Sequence, residues 1–520
     1  MNNIFSTLLY KINTFFSAKK CIFILCLAVF TTSASEQHRN LDTIGVSFFK
    51  QRSQGSNTAR HNMGVTEYMY RFDTCKLNGF FAVIPEYTRS FSKDELAKFL
   101  FFNGKSSMQF ATSGEPGTDV APINFLLNQD FKGTIKADPR IQNGLVDFNL
   151  YIGLDSWIQG LYVQAFAPLC WTKWAINFEQ EIESEGTSIG ANQLGNTVQE
   201  PAPYTNIIDA WRGDKTFFDV SQPLNFAKVN GAQTELKGAD VQLALGYTAI
   251  NCVDSHLSFN ARTIIPTGNS SKGIYFFEPI VGNGHHLEVG AGINGHLTIW
   301  HCQSDKNIVA FMVGNIFHMF EKRQTRTFDL KVNGKGSRYL LLKRFDENAE
   351  YAGEILQGPN ILTRQADVHV GVHGDASLIL EYRSGNLVAD VGYNLWGRTS
   401  EKINNIEPIQ ESTYGIKGDS STDSTQPSTK NTTASTTKIS GENATVYDTN
   451  PVFVYTQDLD PESAASPGAF SHKLFFYLGY NGHNCYLNPI VGLGLEAEFS
   501  GNDNKALRQI GILSKFGCAF

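Results

Sequence analysis

Several things are scarce in this chain of 520 residues, and each scarcity removes a class of function. Charged side chains make up only 18%, against about 25% in ordinary soluble domains. The net charge is −7, so no basic surface for nucleic acid is expected. Long apolar runs are missing: beyond one short run near the N-terminus, none reaches the roughly 18 residues of a membrane-helix candidate. A membrane-spanning reading therefore requires strands closed into a barrel. Catalytic signatures are also missing. There is no G-x-S-x-G, no H-E-x-x-H, no G-x-x-x-x-G-K-[ST] and no EF-hand loop. No pair of cysteines has C-x-x-C spacing, which leaves zinc and thioredoxin-type sites unsupported. No catalytic residue, cofactor or metal is expected, and the protein is not expected to be an enzyme.

The one short apolar run, Cys21 to Phe30, follows Lys11, Lys19 and Lys20 and precedes T-T-S-A-S. A basic region, a short apolar core and small residues make a secretory signal peptide over residues 1–35. Export permits disulfides among Cys75, Cys170, Cys252, Cys302, Cys485 and Cys518. Cys252, Cys302 and Cys485 lie at turns, but the spacing selects no pairing.

What is abundant is aromatic and glycine: 38 Phe, 19 Tyr and 46 Gly. These suit many strands and turns. Alternation of apolar and polar residues is the mark of an amphipathic strand, and the chain has it repeatedly. Val146, Phe148, Leu150, Ile152 and Leu154 share one face; Asp147, Asn149, Tyr151, Gly153 and Asp155 share the other. The same period runs through Leu161 to Trp171, Val241 to Ala249, Leu257 to Ile265 and Leu287 to Ile299. It returns in Val368 to Leu380, Leu387 to Leu395, Leu474 to Tyr480 and Val491 to Phe499. The final stretch, Leu507 to Phe520, sets Ile510, Ile512, Phe516, Cys518 and Phe520 against Gln509, Lys515 and small residues. Asp42 to Gln51 and Val65 to Phe72 are read as further strands, joined by a polar loop, R-S-Q-G-S-N-T-A-R-H-N.

Short turns alternate with much longer loops along this series, and the loops all fall on one side. That segregation is what a transmembrane barrel shows. The fold class expected is all-β: an antiparallel up-and-down transmembrane β-barrel of about 14 strands (range 12–16), with long outer loops, short periplasmic turns and both termini periplasmic. Residues 36–520 form one barrel domain, with a low-complexity loop at about 400–468 whose Ser/Thr-rich part has too little apolar content for a core. Trp157 and Trp300 lie at short-turn ends, and Trp171, Trp174 and Trp396 at long-loop ends, the places of interfacial girdles.

With its signal peptide, amphipathic strands, one-sided loops and terminal phenylalanine, the chain resembles porin-like Gram-negative outer-membrane proteins. The runs F-F-K-Q-R-S-Q-G-S-N-T-A-R and G-Y-N-L-W-G-R resemble those of uncharacterised envelope proteins of intracellular bacteria. The first resemblance implies an outer-membrane location, and strands with one apolar face and one polar, glycine-rich face that would surround water lead to the expectation of a passive channel for small polar solutes. The same resemblance makes Phe516, Cys518 and Phe520 a barrel-assembly signal, with outer-membrane lipid and the assembly machinery as partners. A surface-exposed structural protein or adhesin on the same fold, or a soluble secreted β-protein, are the alternatives. Parity assigns Asp147, Asn149, Asp155, Glu288, Asn294, Asp367, His369, His373, Asp375, Asp390, Glu496 and Glu498 to the lumen face. Most of the charged ones are acidic, which favours cations. The basic stretch Lys322 to Arg326 is expected at a pore mouth, on surface lipid or simply in solvent. His369 and His373, about 13 Å apart if on one straight strand, are too distant to share a zinc.

Overall fold

The computed structural model describes residues 44–71, 77–91, 93–112, 115–187, 203–216, 218–302, 306–417, 439, 453–483, 487–501 and 506–520. The expected signal peptide, Cys75, Cys485 and most of the low-complexity stretch lie outside these. A fourteen-stranded sheet dominates, and twelve of its strands close into a ring. In chain order they are β1 (Asn78–Ser90), β2 (Arg140–Gly153), β3 (Leu161–Ala175), β4 (Val241–Cys252), β5 (Ser255–Ile265) and β6 (Glu288–Cys302). Then come β7 (Lys306–Thr327), β8 (Thr363–Ser384), β9 (Leu387–Arg398), β10 (Ala469–Asn481), β11 (Asn488–Ser500) and β12 (Gln509–Ala519). Each pairs antiparallel with the next, and β12 pairs with β1. Two short strands, Gln233–Gly238 and Glu401–Asn404, extend the sheet along β3 and β8.

The strands run from 11 residues in β5 and β12 to 22 in β7 and β8. A strand crosses the hydrocarbon in about 9–11 residues, so all twelve are long enough and the longest project beyond it. Each presents an exposed large apolar residue outward: Phe81, Phe148, Leu169, Leu245, Phe259, Val289, Ile316, Leu380, Val391, Phe476, Leu493 and Phe516 in order. An apolar belt around the whole circumference suits lipid, and a soluble protein seldom exposes so large a patch. Short turns join β2–β3, β4–β5, β6–β7, β8–β9 and β10–β11 at one end. The β8–β9 turn is only Gly385 and Asn386, and Gly385 takes the positive φ of 57° that a first central residue of a tight hairpin needs.

At the other end the long connections fold together. Ser107–Phe110, Lys132–Ala137 and Phe178–Ser184 make one small sheet; Leu341–Phe345, Tyr351–Gln357 and Tyr414–Ile416 make another. The helix Lys93–Leu100 joins them. Between these pieces Phe101, Phe102, Phe125, Trp211, Phe276 and Tyr339 form an aromatic cluster, with the Trp211 indole N–H donating to the Tyr339 hydroxyl at 3.0 Å. The outer end is thus a packed lobe.

The two strands expected at Asp42 to Gln51 and Val65 to Phe72 do not form. Their described residues belong to a mostly irregular segment, 44–71, with one helical turn at Thr58–Asn62 and a 3-10 turn at Thr66–Met69. Nearly all of it is buried. It starts at the lobe, where the Gly45 N–H donates to Phe99 O at 2.9 Å and the Ser47 N–H to Ser463 O at 2.8 Å. It finishes at the short-turn end, where Asn78 at the start of β1 donates to Arg71 O at 2.9 Å. The segment therefore runs down the barrel axis from outside inward. The expectation that both chain ends lie on the short-turn side holds for β12 but not for this segment.

The tryptophans divide. Trp157 and Trp171 are exposed, whereas Trp174 and Trp396 are buried on the inner face and Trp211 is in the lobe. The girdle reading holds only for part of the set.

Candidate functional site: a plugged lumen

Segment 44–71 is polar, and its contacts with the wall are mostly polar. Backbone in an irregular segment must find hydrogen-bond partners outside itself, and the wall supplies them. Asn149 (β2) donates to His61 O at 2.8 Å, Gln242 (β4) to Gly55 O at 3.0 Å, Asn481 (β10) to Gly64 O at 2.9 Å and Lys515 (β12) to Arg60 O at 3.0 Å. The Gly64 N–H donates to Asp390 (β9) at 2.6 Å.

Side chains complete the seal. Arg60 donates to Glu86 (β1) at 2.5 Å and to Asp147 (β2) at 3.0 Å, and His61 Nε2 is 2.9 Å from the same Asp147 oxygen. The His61 ring stacks on Phe166 (β3), centroids 3.9 Å apart. Asn57 donates to Glu496 (β11) at 3.0 Å. Arg52 reaches Asn394 (β9) at 2.8 Å, Glu498 (β11) at 3.6 Å and Asp375 (β8) at 3.9 Å. Asn315 (β7) donates to the Thr58 hydroxyl at 3.3 Å. At the inner end Thr66 donates to Glu381 (β8) at 2.6 Å, Glu67 pairs with Arg383, and Tyr70 stacks on His296 (β6) at 3.7 Å and His256 (β5) at 5.3 Å. Every one of the twelve strands touches the plug. An apolar patch of Met63, Val65, Tyr68 and Met69 against Phe80, Tyr151, Phe475 and Tyr477 fills the remaining inner section.

Of the residues assigned by parity to the lumen, Asp147, Asn149, Asp155, Glu288, Asn294, His373, Asp375, Asp390, Glu496 and Glu498 are buried on the inner face. They do not surround open water. Asp147, Asn149, Asp375, Asp390, Glu496 and Glu498 hold the plug. His373 meets Glu288 at 2.5 Å. Asn294 bonds His256 and the Tyr162 hydroxyl. Asp155 accepts from Gly160 N–H at 2.8 Å and closes its own turn.

Asp367 and His369 need correction. They are half-buried on the opposite face, where Asp367 pairs with Arg323 at 3.1 Å. The β7–β8 ladder breaks register around His318 to Lys322. Beyond the break Val368 and Val370 point inward. A bulge inserts a residue and so exchanges the two faces of a strand, which uniform parity cannot anticipate. Phe516 and Phe520 are exposed and Cys518 is partly so, on the outward face of β12. Cys252 and Cys302 are both exposed and free. Among the described residues no cluster of three or more metal-ligating side chains occurs.

Sequence reasoning singled out none of Arg52, Arg60, Glu86, Glu381 and Lys515, although alternation places Glu381 and Lys515 on the polar faces of their strands. The signal available was complementarity: a basic, amide-rich run ahead of strands whose inner faces are acidic.

At the outer end of the plug, Lys50 pairs with Glu401 at 3.4 Å, and Arg326 donates to the same carboxylate at 3.3 Å. Burial alone would raise the Glu401 pKa, but Arg326, Lys50 and Arg398 together hold it down to about 2.

No protein-family model matches the chain, and no curated protein matches it by sequence. Solved structures do resemble it in outline. An outer membrane channel from Pseudomonas putida F1 is 9% identical, over 87% of this chain and 98% of that one, with a TM-score of 0.34. A TodX monoaromatic hydrocarbon channel is 8% identical, over 91% and 96%, at 0.32. The transport unit of the autotransporter AIDA-I from Escherichia coli is 8% identical, over 91% and 99%, at 0.28. The assignment rests on the chain's own geometry: its ring is closed, its apolar face is outward and its long connections are on one side. The architecture is that of a porin-like outer-membrane β-barrel.

Proposed function

We propose that the protein is an outer-membrane channel held shut by its own N-terminal segment, and that small polar solutes pass when the segment leaves the lumen. The observation behind this is how the lumen is filled. A separate, polar segment occupies it, with charged and amide side chains facing one another across the seam. A ring of twelve strands is wider than the roughly eight whose wall side chains fill the interior unaided, so its lumen needs a filler, and the filler here is held by polar contacts rather than fused to the wall by an apolar core.

Removing residues 44–71 tests it. The wall would then present Glu86, Asp147, Asp375, Glu381, Asp390, Glu496 and Glu498 against Arg262, Arg383, Lys473 and Lys515. In planar bilayers the truncated protein should conduct with a preference for cations, while the full chain stays mostly closed. A truncated barrel that still migrates as a folded, heat-modifiable band yet never conducts would overturn the reading.

Outer-membrane lipid and the barrel-assembly machinery are its expected partners, and we assign it no catalytic step. One feature favours a second reading as a surface structural protein or adhesin: the large, folded outer lobe. Silence of both forms in the bilayer is the outcome that supports it.

A further inference from the structure

The basic stretch Lys322 to Arg326 ends inside the mouth of the barrel. Arg326 lies there with Lys50 from the plug and Arg398 from the end of β9, all three buried. Among the described residues one carboxylate, Glu401, is within ion-pair distance of them, at 3.4 Å from Lys50, 3.3 Å from Arg326 and 3.9 Å from Arg398. Three cations thus share one anion. Two more carboxylates stand further off and are already engaged. Glu278 accepts from Ser271 and from the Lys272 and Gly273 N–H groups, and Glu288 meets Asn283 and His373.

The donors are not used up. Lys50 Nζ, Arg326 Nε, and Arg398 Nε and Nη1 are buried without a hydrogen-bond acceptor. Lys50 Nζ and Arg398 Nη1 flank the same Glu401 oxygen, Oε1, which is itself without a hydrogen bond, so at most one of the two could be satisfied there by a small shift and Arg326 Nε and Arg398 Nε would still be left over. A buried N–H left unpaired costs about as much as a hydrogen bond is worth, and more when it is charged. An uncompensated buried charge costs several kcal/mol. Both deficits are removed by one kind of ligand. On the side of the lobe, Arg326 also lines a small cavity with Ser47, Phe48, Ser271, Thr327 and the already engaged Glu278.

We propose that the mouth of the barrel, between Lys50, Arg326 and Arg398, binds a small dianionic oxyanion such as inorganic phosphate or sulfate. Two charges match the local excess, where a monocarboxylate would leave one over. Several oxygens are needed because donors approach from the plug and from two strands of the wall, and guanidinium forks suit oxyanions. Bound there, the anion ties the outer end of the plug to the wall. The site does not depend on whether the barrel conducts.

Equilibrium dialysis of the purified, folded full-length protein against labelled sulfate or phosphate tests this. One saturable site per chain is expected, with competition between the two anions and none from chloride at equal ionic strength. Arg398→Gln and Lys50→Met should each weaken it about tenfold, the worth of one charge-assisted hydrogen bond, while keeping the heat-modifiable band. The absence of a saturable site in the unaltered protein overturns the proposal, as does unchanged affinity in either folded variant. If neither variant folds, the result on the unaltered protein decides.

Discussion

At the residue scale the most consequential side chain is Arg60. It is fully buried and bonds two carboxylates, Glu86 and Asp147, on adjacent strands. Removing one partner of a buried pair leaves the other charge stranded, at a cost of about 3–5 kcal/mol. Arg60→Met should therefore loosen the plug while the barrel stays closed, read as new protease cleavage within residues 44–71. Glu86→Gln in the same protein should restore part of the protection. Glu401 makes a prediction in pH. Its pKa is depressed from 4.5 to about 2, so the folded state gains from its charge. That gain is complete above about pH 4.5 and fades as pH falls toward about 2. Acid should release the outer end of the plug in this window, and Glu401→Gln should remove that pH dependence. These roles were half legible in the sequence. Parity put Asp147, Glu496 and Glu498 on the inner face, but it could not show that cations of a distant segment would meet them there.

At the element scale β12 carries the sharpest test. Phe516 is 50% exposed and pairs across to Val491 and Val83 on its neighbours. On the lipid face a basic charge costs about 2–4 kcal/mol at mid-membrane, an acidic one less, and either less still near the interfaces. Phe516→Glu and deletion of Phe520 should both reduce the heat-modifiable, protease-resistant form in membrane fractions. Assembly at the unaltered level in both would remove β12 from the role of assembly signal. The strands themselves were legible because a period of two with one apolar face leaves little choice of register. Two elements were not. Segment 44–71 has short apolar runs that look like strands, yet they pack against the lumen and the lobe. The far ends of β7 and β8 keep the alternation but exchange its faces at a bulge, so Asp367 and His369 turned outward.

At the scale of the whole molecule the ring, the lobe and the plug form three separate problems of burial, and only the ring follows a repeating pattern. The lobe is built from connections whose aromatic residues, Trp211, Phe102 and Tyr339, are far apart in sequence. Nothing periodic announces such a cluster.

The direction of the plug has a topological consequence. Residues 44 and 71 stand at opposite mouths of a barrel whose ring is closed by the β1–β12 hydrogen bonds, so the polypeptide is threaded through its own ring like a cord through a bead. Residue 44 thus lies at the opposite mouth of the barrel from the start of β1. An epitope spliced in just ahead of Ile44 should be stained by antibody on intact cells, whereas one spliced into the β8–β9 turn after Gly385 should be stained only after permeabilisation. The reverse pattern would mean that the cord enters from the other mouth. With the expected pattern, the barrel is a ready-made display scaffold: a peptide fused at that point reaches the cell exterior with no passenger domain to carry it.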